Sequence, residues 1–148
     1  MTDDQYYAHK WLSRMWDENV EVEQLKGRQE EIIGSMSGIG KYDSENIPTQ
    51  TGENGSESKL IEFSLVSEQL EKKLQRISYE NSRTLQTIDK VDSSMLRGML
   101  IARYLRRMSW TDVGKLYNYE KTQTYEKYRI EALNAVYPHI PKGEVADE

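Results

Sequence analysis

The stretch Lys121-Thr122-Gln123-Thr124-Tyr125-Glu126-Lys127-Tyr128-Arg129 concentrates side chains that can read the edge of a nucleic acid. The Gln123 amide both donates and accepts, as pairing with adenine requires, and the Glu126 carboxylate can accept from the amino group of cytosine. Lys121, Lys127 and Arg129 suit phosphate oxygens, and Arg103, Arg106, Arg107 and Lys115 could add further backbone contacts from upstream. This chemistry needs a helix with one face free. If Tyr125, Tyr128 and Ala132 face inward, then Thr122, Gln123, Glu126, Lys127 and Arg129 fall on the outer and flanking faces.

Other chemistries find less support. There is no cysteine, which excludes disulfides and thiolate metal sites. The two histidines, His9 and His139, lie far apart, and neither a metal site nor a histidine-based nucleophile pair is visible. Gly38-Ile39-Gly40-Lys41-Tyr42 fails as a phosphate-binding loop. Ser35 stands where its first glycine belongs, and Tyr42 replaces the Ser or Thr that would hold magnesium. No catalytic residue, metal ligand or cofactor is expected, and the chain does not read as an enzyme.

The elements that must position the reading stretch are helical throughout. Over residues 4–36, Trp11, Met15, Glu18, Val22, Leu25, Gln29, Ile32 and Met36 recur at spacings of four and three, an apolar stripe with two polar interruptions. Residues 37–58 are rich in Gly, Ser, Thr and Asn, and they read as a flexible loop. Over residues 57–90 the same spacing returns in Leu60, Phe63, Ser67, Leu70, Leu74, Ile77, Asn81, Thr84 and Ile88. Two such stripes joined by a loop predict a long antiparallel helical hairpin over residues 1–91.

Residues 92–148 break into three short helices and a short polar tail. Ser93 or Ser94 can cap the first, whose apolar positions are Met95, Leu96, Met99, Leu100, Tyr104 and Leu105. Ser109-Trp110-Thr111-Asp112 has capping-box spacing and opens a second helix expected to bury Trp110, Val113 and Leu116. Asn118 and Tyr119 make a turn. A third helix then runs over about residues 122–136, with Tyr125, Tyr128, Ala132, Leu133 and Val136 inside and Pro138 and Pro141 beyond its end.

Charge follows the same division. The net charge is −5, yet residues 92–131 hold 8 Lys/Arg against 5 Asp/Glu, whereas residues 1–91 hold 11 against 17. DNA responds to the local field of a docking face, so an acidic total does not oppose nucleic-acid binding. No apolar run is long enough to span a membrane. The acidic start Met1-Thr2-Asp3-Asp4 lacks the basic and apolar regions of a signal peptide, so the chain is expected to stay in the cytoplasm of the cell that makes it.

The string Leu100-Ile101-Ala102-Arg103-Tyr104-Leu105-Arg106-Arg107-Met108-Ser109-Trp110-Thr111-Asp112-Val113 resembles the core of sigma-70 region 4. It is more similar still to a family of small phage transcriptional regulators with a sigma-like C-terminal domain, of the late transcription regulator type. Arg103-Tyr104, Ser109-Trp110 and Ala132-Leu133 carry the likeness, which covers residues 92–137 by motif. Two positions depart from the pattern. Lys121 stands where a Ser or Thr cap is common, and Gly114 replaces the usual alanine.

The resemblance implies a helix-turn-helix in which Thr122, Gln123 and Glu126 read bases. It also implies promoter binding in concert with host RNA polymerase. The N-terminal helices would then serve homodimerisation or partner docking. The alternative is an adaptor or inhibitor of polymerase that keeps the fold without reading DNA, which the acidic first 91 residues favour.

Overall fold

The computed structural model describes residues 1–41 and 49–143, with side chains for 1–36 and 56–143. Among the described residues every regular element is helical. In order these are α1 (Asp3–Leu12), α2 (Trp16–Lys41), α3 (Thr49–Ile88), α4 (Ser94–Leu100), a π-turn (Ile101–Leu105), α5 (Trp110–Leu116), α6 (Lys121–Gln123), a second π-turn (Thr124–Tyr128), α7 (Arg129–Val136) and a 3-10 turn (Tyr137–His139). No described helix is long and apolar enough to cross a membrane.

The chain forms two compact units, residues 1–16 with 78–148, and residues 17–77. A boundary between residues 91 and 92 therefore falls inside the first unit, because α1 and the end of α3 belong with the C-terminal helices. The continuous helix expected over residues 4–36 is two helices. The Ser13 hydroxyl donates to the His9 carbonyl at 2.7 Å, and the Trp16 amide bonds back to Ser13 at 3.0 Å, closing α1 and restarting the chain as α2. The expected loop 37–58 is shorter than its composition suggests. Helix runs to Lys41 and resumes at Thr49, since extending an existing helix costs far less than starting one. The remainder of that loop, residues 42–48, and the end of the polar tail, residues 144–148, lie outside the described residues.

The first unit is built around aromatic side chains. Thr2 and Gln5 form a reciprocal capping box that starts α1, and the buried Gln5 amide donates to Asn134 Oδ1 at 3.1 Å. Ala8, Trp11 and Leu12 enter one core with Ile88, Val91, Met99, Leu100, Tyr104, Trp110, Leu133 and Val136. Arg14 pins α1 to the last turns of α3. Its guanidinium lies 3.8 Å from the Trp11 ring centre and donates to Thr84 Oγ1 at 2.9 Å and to Glu80 Oε1 at 2.9 Å. His9 Nδ1 lies 2.8 Å from the Tyr104 hydroxyl, and Trp16 stacks on Tyr104 while donating to its carbonyl at 3.0 Å. Burial, with Arg103 and Arg129 nearby, holds the His9 pKa below its ordinary value, and burial pushes the Tyr104 hydroxyl up.

The second unit pairs α2 with α3. Glu18 meets Arg76 at 2.6 Å, Glu21 meets Lys73 at 3.0 Å, Arg28 clasps Glu62 at 2.6 Å, and Ser35 receives Lys59. Partner numbers fall as residue numbers rise, so the two helices run antiparallel there. The polar interruption at Gln29 is matched by Ser67, 3.0 Å away. Val22, Ile32, Val66, Leu70 and Ile77 are the buried hydrophobics among this unit's described residues. Leu60 and Leu74, expected on the inner stripe, are exposed, and Val66, outside that stripe, is buried with Leu70 and Ile77.

Candidate nucleic-acid interface

Two left-handed corners set the direction of α5. The first is Arg107, with φ 60°, after which the Met108 amide reaches back to the Ala102 carbonyl at 3.0 Å. The second is Asn118, with φ 61°, as its expected role in the turn requires. Here the amides of Tyr119 and Asn118 bond to the carbonyls of Gly114 and Lys115 at 2.9 and 3.3 Å, a Schellman closure. Ser109 caps α5 by accepting from the Asp112 amide at 3.1 Å, and Ser93 does the same for α4 through the Leu96 amide at 3.2 Å.

Glycines decide how closely the following helix approaches. A Cβ on Gly114 would overlap the Thr124 hydroxyl, and one on Gly98 would overlap the Tyr117 hydroxyl. Thr124 is accordingly fully buried, and its Oγ1 donates to the Glu120 carbonyl at 2.9 Å. Tyr119 and Tyr128 stack with centroids 4.5 Å apart, and Tyr117 lies nearly parallel to Tyr119 at 6.4 Å. Hydrogen bonding to Tyr128, then burial, raises the Tyr119 pKa above its ordinary value.

This packing revises the expected inner stripe. Tyr125 is 50% exposed and Thr124 takes its place inside. The π-turn over Thr124–Tyr128 fits an extra residue into one turn and shifts the phase, and the glycine opposite leaves room only for a small side chain. Leu116, expected to be buried in α5, is 53% exposed. It immediately precedes the Tyr117 cap and falls on the outer side of a helix whose inner side is Trp110, Val113 and Gly114.

Lys121, Thr122, Gln123, Glu126 and Lys127 are all exposed, as are Arg106, Arg107 and Lys115. Arg129 is half-buried. Its Nε donates to the Tyr125 carbonyl at 2.9 Å and its guanidinium lies 4.1 Å from the Tyr125 ring centre. Lys115 pairs loosely with Asp112 at 3.6 Å, and the Lys127 ammonium lies 5.1 Å from the Tyr128 ring centre. Thr122, Gln123, Tyr125, Glu126 and Lys127 are thus the exposed side chains of this run, with Arg129 half-buried against Tyr125.

Arg103 stands apart from the other cations. It turns inward, donates to the Met108 carbonyl at 2.9 Å and faces the Trp16, Trp110 and Tyr104 rings at 4.9, 5.8 and 5.9 Å. Its role is to hold the first corner, and its expected place among the backbone contacts is withdrawn.

No protein-family model, curated protein or solved structure matches this chain. Its surface chemistry therefore carries the functional reading. The first unit holds 13 Lys/Arg against 12 Asp/Glu, and the second holds 7 against 13. Among the described residues no group of three or more His, Asp or Glu side chains could hold a metal ion. Helix α6 begins without a side-chain cap, since Glu120 makes no such bond and lysine has no acceptor to offer.

Proposed function

We propose that the chain is a phage-type transcription regulator. In this reading residues 94–137 form a sigma-like helix-turn-helix that binds promoter DNA, acting together with host RNA polymerase. Helix α5 and the helical run from Lys121 to Val136 are its two limbs, and the left-handed Asn118 is its turn. One observation carries the reading. Thr122, Gln123 and Glu126 stand exposed on a helix whose opposite side, Thr124, Tyr128 and Ala132, is buried against a rigid core. Such a helix can enter a major groove without losing its own packing. Arg106, Arg107, Lys121 and Lys127, all exposed, supply cations for phosphates. The antiparallel α2 and α3 would serve as a helical hairpin for homodimerisation or for docking on a partner.

The test compares promoter fragments with random duplexes at two salt concentrations. Wild type should prefer particular sequences, and its affinity should fall steeply with salt. Gln123→Ala with Glu126→Ala should erase the preference while leaving the salt-dependent part. Absence of both terms in wild type would sink the DNA reading. The second reading, a polymerase adaptor or inhibitor, draws on the excess of acidic groups in residues 17–77. Co-purification with polymerase in the absence of DNA binding would favour it.

A further inference from the structure

Tyr125 is a large aromatic residue on a stripe that otherwise carries polar side chains. Half of its surface is open to solvent, and helical spacing puts it beside Thr122 at the edge of the exposed side. It has no route inward, because Thr124 fills the buried position against Gly114. Its ring is also held in place. The Arg129 guanidinium covers one ring face at 4.1 Å and is itself fixed by its bond to the Tyr125 carbonyl at 2.9 Å. The result is a half-exposed aromatic ring, held on one face by Arg129, on the same helix as the hydrogen-bonding readers Gln123 and Glu126.

In the major groove the bases offer mostly donors and acceptors, and the apolar feature among them is the 5-methyl group of thymine. Gln123 suits adenine and Glu126 suits cytosine, but neither can sense a methyl group. We propose that Tyr125 is a specificity-determining residue that reads a thymine 5-methyl group, and that Arg129 is the positioning residue that holds its ring. This rests on the helix-turn-helix reading above and adds to it an apolar contact that the sequence analysis had assigned to the core.

The decisive probe changes the methyl group and nothing else. Duplexes selected by the full chain from a random library are remade with each thymine replaced, one at a time, by deoxyuridine, which keeps every hydrogen-bonding group. At one position, wild type should bind the deoxyuridine duplex about fourfold more weakly, the worth of burying one methyl-sized group. Tyr125→Ala should bind both duplexes equally, Tyr125→Phe should keep the discrimination, and Arg129→Lys should reduce it. Circular dichroism melting of each variant confirms that the fold is retained, as an exposed position allows.

Selection of a defined site that wild type binds equally with thymine or deoxyuridine at every position overturns the proposal and leaves DNA reading intact. Discrimination that survives in Tyr125→Ala overturns it too. Selection that enriches no sequence removes the helix-turn-helix reading, and Tyr125 with it.

Discussion

The two units solve the problem of holding helices together by different means. Residues 1–16 with 78–148 bring together Trp11, Trp110, Tyr104 and Tyr128 with close aliphatic packing around them, and Gln5 and His9 meet Asn134 and Tyr104 across long sequence separations. Residues 17–77 place a thin row of buried aliphatics between rows of charged pairs. Aromatic burial removes large areas from water, whereas exposed ion pairs gain little and weaken with salt. Under the proposed function this contrast would suit a division of labour, since a reading helix must keep its side chains in one geometry and a docking surface gains from being adjustable.

Cavity formation should expose the contrast most strongly. Trp11→Ala should cost about 3–5 kcal/mol and abolish cooperative melting of the first unit, measured by urea denaturation followed through near-ultraviolet dichroism. Leu70→Ala in the second unit should fall near the lower limit of such changes, about 2 kcal/mol, because the surrounding row is thin enough to relax. Equal costs would break the comparison. Overpacking comes next. Gly114→Ala should destabilise by about 1–3 kcal/mol despite its better helix propensity, and Thr124→Ala in the same chain should recover part of the loss.

A smaller effect comes from His9, whose folded-state pKa lies below the ordinary 6.5. The unfolded chain therefore takes up the proton more readily. Stability should be complete above that value and decline as pH falls from about 6.5 toward the lower folded pKa. Urea midpoints at pH 7 and pH 5 should show this decline, and His9→Gln should lessen it. An unchanged slope in His9→Gln would refute the assignment. The smallest effect belongs to the second unit. A double-mutant cycle on Glu18 and Arg76 should give less than about 1 kcal/mol, shrinking further as salt is raised.

Much of this was legible in advance where periodicity and burial agree. The α2 stripe from Val22 to Ile32 and the buried α5 residues Trp110 and Val113 sit where four-and-three spacing puts them. So do the Ser109 cap and the Asn118 corner, since each depends on one residue's local chemistry. Contacts made far along the chain were not legible. Nothing local announces that Gln5 will meet Asn134, or that α1 joins the C-terminal helices.

Phase was the other failure. A π-turn leaves no mark in a hydrophobicity pattern, so Tyr125 appeared internal and Thr124 was given no place in the core. The available signal was Gly114, whose missing side chain allows a close helix approach there. Arg103 misled for a similar reason. In a string of arginines, sequence cannot say which guanidinium turns toward tryptophan.

Arg107 and Asn118 stand on either side of α5. Ordinary surface loops absorb added residues cheaply, because chain closure grows slowly with length. These two connections are closed by single torsions and by amides that must reach particular carbonyls. Insertions or deletions there would re-aim the helix as a whole, whereas exchanging either corner residue for glycine would keep its course. The segment between the corners is therefore a cassette of fixed length. Its outer side tolerates exchange, whereas its residue count and its inward residues, Trp110, Val113 and Gly114, do not.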